Sequence, residues 1–347
     1  MASKKVLSFH RWIALVFAPF LLLQALTGSA LLFRSELGAV IEPGRSTPQG
    51  ETVSVSALYA AARDIRPGVT PTRIFLPGHP DSAAFAHLSS SDGTTSYAMI
   101  DPGNAAVIAE GGVWRFPLQA ALNLHYQLNA GQAGMLLVCI YGTALAILAL
   151  TGLWHWWPGR NRALKSLKIP ARTPQRLKLQ MWHRSTGAIT AIGLIVVAVT
   201  GVLTAVPGLA ISSLWTAAPA PAASYPYSAE RIDTGIAMAQ AEFPQGQLRD
   251  IRFRPDGSLA VNFRAPRDGP WAVDTVTVDP AAPDAISAMP TEANDALWTV
   301  TYPLHTGTII GPLGRYLILA LAAALLFLAI SGPLQWWRAR TNRKSRA

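Results

Sequence analysis

The sequence predicts an α-helical membrane protein, with four transmembrane helices in a duplicated 2+2 arrangement and two external α+β domains. Three observations carry this. Half of the 347 residues are hydrophobic and only 14% are charged, a balance suited to a bilayer rather than to water. Four apolar stretches, residues 12–33, 135–157, 188–206 and 316–337, approach the roughly 20 residues a helix needs to span it. The chain also repeats itself without a gap. From His125 and from His305, glycines fall at +6 and +9, a small-Gly pair at +26 and +27, and a Trp pair at +31 and +32. From His10 and from His183, a Thr-Gly pair falls at +17 and +18.

Taken in order, residues 1–33 carry the first span. Lys4, Lys5 and His10-Arg11 give it a basic start, and its long apolar run reads as an uncleaved signal anchor. Residues 34–134 form the first external domain. It has a helical stretch over 54–65, strand-like runs at 72–76, 83–88 and 94–100, and a turn at Ser91-Asp92-Gly93, and it closes at Asp101-Pro102. The second span is 135–157, the basic loop 158–187 and the third span 188–206. The second external domain, 207–315, opens with an Ala/Pro-rich linker at 217–226. A helix is expected over 229–243 and strands at 247–254, 258–264 and 271–278, with a hairpin turn at Asp256-Gly257 and a close at Asp279-Pro280. The fourth span is 316–337 and the tail 338–347. Each external domain therefore reads as a helix packed on a three-stranded antiparallel sheet.

Charge sets the orientation. Residues 1–11, 158–187 and 338–347 hold 3, 8 and 5 Lys/Arg and no acidic residue, whereas the two long connections hold all 19 Asp/Glu. The termini and the short middle loop are thus expected in the cytoplasm and the two long loops in the periplasm. The net charge of +10 is a topology signal, not a nucleic-acid footprint. Each half has two spans, so both halves share one orientation and a pseudo-twofold axis along the membrane normal relates them. The one cysteine, Cys139, lies in an apolar run, and no C-x-x-C-H motif for covalent haem attachment is present.

Four spans, two external α+β loops, His-Arg opening spans one and three, and Leu-His with trailing glycines before spans two and four resemble the PepSY-associated transmembrane proteins. The resemblance covers nearly the whole chain. It implies a bacterial inner-membrane protein, and members linked to iron uptake act as haem-containing ferric-siderophore reductases. The soluble PepSY unit alone is associated with protease inhibition and protein binding.

Of the seven histidines, His79 sits in a Pro-Gly-His-Pro turn and His87 on a strand-like run, and neither has a counterpart in the other half. His10 and His183 are equivalent, as are His125 and His305. An axis between equivalent residues places two imidazoles on opposite sides of one metal, the geometry of bis-His ligation. With the resemblance, this gives two b-type haems, one near each membrane face. With both axial positions filled by His, the expected chemistry is electron transfer. His155, whose equivalent is Gln335, is a secondary candidate at the inner haem, and Arg11 and Arg184 are candidates for pairing with its propionates. Gly28, Gly201, Gly152 and Gly332 are small positions suited to close packing.

No dinucleotide or flavin fingerprint appears, so electrons are expected from a cytoplasmic or quinone donor. They would leave outside, where Trp114, Arg115, Tyr126, Trp298 and Tyr302 are candidates for contacting a ferric siderophore or another Fe(III) chelate. Such an activity makes the chain an oxidoreductase. The alternatives are a b-type cytochrome exchanging electrons with quinone, a haem-free accessory to transport of iron complexes, and an anchored binding module. Opposite faces lie roughly 30 Å apart, so haem-to-haem transfer favours His segments folded inward at the glycines 131/134 and 311/314.

Overall fold

A computed structural model describes residues 2–41, 52–78, 82–209, 227–265, 272–282 and 285–344. His79, the linker at 217–226 and Trp271 lie outside the described residues. In chain order the elements begin with α1 (Ala2–Leu32), α2 (Arg34–Ile41), α3 (Val55–Arg63), β1 (Val69–Phe75), β2 (Ala84–Ser90), β3 (Thr95–Ile100) and β4 (Val107–Gly111). Next come α4 (Pro117–Gln127), α5 (Gly131–Trp156), α6 (Ala163–Leu167), α7 (Gln175–Ala205) and α8 (Ala229–Glu242). The chain ends with β5 (Gln247–Phe253), β6 (Leu259–Arg264), β7 (Val273–Val278), β8 (Ile286–Met289), α9 (Trp298–Thr306) and α10 (Pro312–Lys344). They fall into a helical unit (Met1–Phe33, Ala121–Trp215, Leu297–Ala347) and a sheet unit (Arg34–Ala120, Thr216–Ala296). The segments carrying His125 and His305 belong to the helical unit, although the sequence division assigned them to the external loops.

In the helical unit, α1, α5, α7 and α10 are long and apolar enough to cross a membrane, four such helices among the described residues. The protein is a multi-pass membrane protein. α5 packs on α7, α1 on α10, α1 on α5 and α7 on α10, closing a ring of four. Its seam is Leu21 and Ala25, Tyr141, Leu145 and Leu148, Leu194 and Ala198, and Leu325 and Ala329. A ring of four helices buries little of its apolar surface: Val16, Ile189, Ile192 and Ile330 stay more than half exposed. These side chains suit contact with lipid, and a helix meets most of its backbone hydrogen bonds within its own length, as a span requires.

Two helices are longer than their apolar runs. α1 begins at Ala2 and α7 at Gln175, so His10 and His183 lie inside continuous helices rather than at their ends. Gln, Lys, Leu and Arg before His183 are good helix formers, so the helix continues through the basic stretch. The short helices α4 and α9 precede α5 and α10 and are joined to them by tight reversals. Leu128, Asn129 and Gly131 have φ of 51°, 53° and 56°, and Gly307 and Gly311 have φ of 77° and 65°. A Cβ on Gly134 would overlap the Gln127 carbonyl oxygen, and one on Gly314 the Gly307 carbonyl oxygen. The repeated glycines therefore sit where the chain turns back, and at Gly134 and Gly314 the approaching carbonyl leaves no room for a Cβ.

The sheet unit corrects the expectation of two separate three-stranded sheets. Each half supplies four strands, and the eight form one antiparallel sheet in the order β4-β3-β2-β1-β5-β6-β7-β8. The halves join through β1 and β5, paired at Arg73↔Arg252, Ile74↔Ile251 and Phe75↔Asp250. An unpaired first strand would leave an open edge in each half, and joining removes both while burying Ile74 and Ile251 completely. β4 and β8 are short, and β8 is exposed throughout, so neither has the alternation that marks a strand in sequence. On one face pack α3 and α8, started by the caps Ser54 and Ser228, whose side chains accept from Ala57 N and Arg231 N. Ser56 Oγ donates to Asp233 Oδ2 at 2.9 Å and ties the two helices together. Equivalent turns sit at Gly93 (φ 81°) and Gly257 (φ 86°), with Asp92 and Asp256 each accepting from the backbone N–H two residues on.

The other face holds His87, with ring centres 5.3, 5.6 and 5.1 Å from Phe75, Phe85 and Tyr97. Burial, then the nearby Arg73, Arg34 and Arg252 guanidiniums, lower its pKa to about 4, while Asp250 pulls the other way. The fold thus favours the neutral ring. Its contribution to stability is complete above the unfolded value near 6.5, declines as the pH falls towards 4, and changes no further below that. The loss at pH 5 is expected to be about 2 kcal/mol. Denaturant unfolding of the sheet unit at pH 7 and pH 5 measures it, and His87→Phe should flatten the difference. An equal pH dependence in that variant would show that the decline comes from other groups.

Candidate functional site

Four histidines of the helical unit come together as two pairs. His125, on α4, and His305, on α9, have ring centres 6.1 Å apart with planes inclined at 56°. The His125 Nδ1 lies 3.1 Å from Thr27 Oγ1. That hydroxyl already donates its hydrogen to the Leu23 carbonyl at 2.8 Å, so the proton between them belongs to Nδ1. The His305 Nδ1–H donates to the Val197 carbonyl at 2.9 Å. Each ring packs on a glycine of a spanning helix. A Cβ on Gly28 would lie 2.8 Å from His125 Cε1, and one on Gly201 would lie 2.8 Å from His305 Cε1.

The short helices are held down by polar contacts. Gln24 Nε2 donates to the His125 carbonyl at 2.8 Å, and Tyr141 Oη donates to Gln24 Oε1 at 2.7 Å. On the other side, Thr204 Oγ1 donates to Thr301 Oγ1 at 2.8 Å, tying α7 to α9. Polar side chains are costly inside a span, and these are spent on fixing the imidazole-bearing segments.

The second pair is His10 on α1 and His183 on α7. Both line a cavity of about 490 Å³ within the helix ring, a size that holds a small organic cofactor. The His10 Nδ1 is 3.0 Å from Thr151 Oγ1, whose hydroxyl is committed to the Ile147 carbonyl at 2.7 Å, so here too Nδ1–H donates. The His183 Nδ1 is 2.7 Å from Ser331 Oγ. A Cβ on Gly152 or Gly332 would meet His10 or His183 Cε1 at 3.4 Å, ordinary contact. Along α1, His10 and Thr27 are 17 residues apart, so the two pairs sit at depths about 25 Å apart.

Fixing Nδ1 as the donor leaves Nε2 with its lone pair, the state in which an imidazole binds a metal, and such a bond at the other nitrogen both orients the ring and raises its basicity. Two imidazoles sharing one metal, each about 2 Å from it through nitrogen, place their ring centres roughly 6 Å apart, as His125 and His305 are. Among the described residues, no group of three or more His, Cys, Asp or Glu gathers as a metal cluster.

The secondary candidates divide. His155, Arg11 and Arg184 line the same cavity as His10 and His183, and Arg184 Nη2 donates to the Ser166 carbonyl at 3.0 Å. Tyr126 follows His125 on α4, and Trp298 and Tyr302 lie on α9 ahead of His305. Trp114 and Arg115 belong instead to the sheet unit, in the turn Val113–Arg115, with Trp114 mostly exposed. Sequence reasoning missed Gln24, Tyr141 and the hydroxyls of Thr27, Thr151 and Ser331. Their signal was present: a glutamine inside an apolar run, and a hydroxyl residue directly before a glycine in every span. Thr200 breaks the pattern, because His305 Nδ1–H donates to the Val197 carbonyl rather than to the Thr200 hydroxyl.

Among known proteins, the family described as the PepSY-associated TM region matches residues 7–339. A comparison with curated proteins found no match.

Proposed function

This chain belongs to the PepSY-associated transmembrane family, and on that premise we propose that it is a di-haem b oxidoreductase of the bacterial inner membrane. It passes electrons across the bilayer and reduces a ferric siderophore, or another Fe(III) chelate, on the periplasmic side. The two halves stand in a parallel 2+2 repeat, with both termini in the cytoplasm. His125 and His305 hold the haem nearer the periplasm, and His10 and His183 the one nearer the cytoplasm.

The observation that carries this reading is the hydrogen bonding at Nδ1. The rings of His10, His125 and His305 each spend Nδ1–H on a hydroxyl or carbonyl of a neighbouring helix, which leaves Nε2 for iron. The 6.1 Å spacing of His125 and His305 and the cavity between His10 and His183 fit a flat macrocycle at each level. Bound haem would supply one-electron transfer. The chain's own part is to fix the four imidazoles, to keep the cavity apolar with Leu21, Leu145, Leu148 and Leu194, and to border its polar end with Arg11, Arg184 and His155. An Fe(III) chelate that accepts the electron releases its iron, because hard oxygen donors hold Fe(II) far less tightly.

The absorbance spectrum of the purified protein tests the reading. A Soret band, α-bands on reduction and two haems per chain are expected. A sample fully loaded with its natural cofactors that lacks a Soret band would overturn it. Mixing dithionite-reduced protein with ferric chelates separates the reductase from a quinone-linked b-type cytochrome: the reductase should oxidise on mixing, with Fe(II) appearing faster than in a protein-free control.

A further inference from the structure

Two residues that line the cavity between His10 and His183 carry N–H donors with no partner among the described residues. Trp156 Nε1 and Gln335 Nε2 are closed off from solvent and make no hydrogen bond among the described residues, and both side chains line the cavity. Buried donors left unpaired are rare and costly, so their partner is to be sought in what the cavity receives. Their position says what that partner is. Gly152 packs on His10 and Gly332 on His183. Trp156 lies four residues beyond Gly152 and Gln335 three beyond Gly332, on the same helix faces and about one turn, roughly 5 Å, further along. That turn leads to the basic end of the unit, where Arg11 and Arg184 line the cavity. Both unpartnered atoms are donors, and Arg11 and Arg184 bring positive charge to the same cavity, a setting that favours an anionic acceptor.

We propose that Trp156 and Gln335 bind the carboxylates of the tetrapyrrole seated between His10 and His183, and so position the cofactor by its polar edge. The inference rests on the haem reading above. The repeat sharpens it: the position equivalent to Trp156 is Trp336, and that equivalent to Gln335 is His155. The two unpartnered donors are thus not related by the repeat, as befits a cofactor whose two carboxylates lie on one edge and break the symmetry of the site. Arg11 and Arg184 supply charge at the rim, while Trp156 and Gln335 each offer one N–H that is shut off from solvent.

The test uses full-length protein carrying His305→Ala, which leaves the His10–His183 site to be read alone. It is prepared without haem and titrated with haemin and with iron octaethylporphyrin, which has no carboxylates. The parent should bind haemin about tenfold more tightly or better. Trp156→Phe with Gln335→Leu should erase most of that preference and leave the affinity for the octaethyl compound unchanged, which also shows that the variant folds. Gln335→Glu, which sets a carboxylate against a carboxylate, should weaken haemin selectively. Equal affinities in the parent, or a preference that survives the double substitution, would overturn this assignment and leave the haem reading standing. Failure of the parent to bind either porphyrin would overturn the haem reading itself.

Discussion

Asp250→Ala is expected to destabilise the sheet unit by about 3–5 kcal/mol, the usual cost of breaking a buried ion pair from one side. Asp250 is fully buried, and its Oδ1 accepts from Arg73 Nε at 2.7 Å and from Asn262 Nδ2 at 2.9 Å. Thr275 Oγ1 donates to Asn262 Oδ1 at 2.8 Å and so turns the amide towards the carboxylate. Two further guanidiniums approach, Arg249 at 3.8 Å and Arg252 at 4.0 Å. One carboxylate thus balances three cations. Without it, Arg73, only 21% exposed, would keep its charge and lose its partner. The damage should be local, because Asp250 and Arg73 sit on the two strands that join the halves through three residue pairs. Hydrogen exchange at Ile74 and Ile251 should quicken before exchange in β2 and β3. Arg73→Met with Asp250→Leu should recover much of the loss, since an apolar pair needs no compensation. A cost under about 1 kcal/mol for Asp250→Ala would show that the seam stands without its ion pair.

That seam also marks where sequence reading stopped. α3 and α8 are announced by a capping serine and helical periodicity, and six of the eight strands by alternation and by Asp-Gly turns, because those signals are local. Whether β1 meets β5 depends on two segments about 180 residues apart, and nothing in either specifies the partner. Ile74 and Ile251 look like ordinary inward-facing residues in both arrangements. The membrane helices are more legible, since lipid imposes one length and one composition on each of them. The four histidines were legible through repetition, as were the glycines that turn α4 and α9 back. The ring orientations were not. They are set by Thr27, Thr151, Val197 and Ser331, which lie between 98 and 148 residues from the imidazoles they hold, and Val197 contributes only a backbone carbonyl, which no side-chain pattern reveals.

If the proposed di-haem reading holds, His305→Ala is expected to remove one haem, halving the haem absorbance per chain while the fold persists. On the proposed reading, both imidazoles would be needed to hold a haem between His125 and His305, and the space left by the His305 ring would lie against Gly201. His125→Ala should therefore give the same spectrum, and the double variant should lose nothing more. His10→Ala and His183→Ala should remove the other haem, and added imidazole should restore part of the absorbance in each single variant. The same outcome can be approached from the helix side. In Gly201→Ala the new methyl would lie 2.8 Å from His305 Cε1, and the ring has little freedom to yield because its Nδ1–H is held by the Val197 carbonyl. Gly28→Ala does the same to His125. Gly152→Ala and Gly332→Ala place the methyl at 3.4 Å, a contact that needs no movement, so they should leave the second haem in place. Two haems per chain retained in all four single His→Ala variants would show that these imidazoles are not the ligands. Loss confined to Gly28→Ala and Gly201→Ala among the glycine variants would tie the periplasmic haem to the close packing of α4 and α9 on α1 and α7, the contact that the glycine turns at 131/134 and 311/314 make possible.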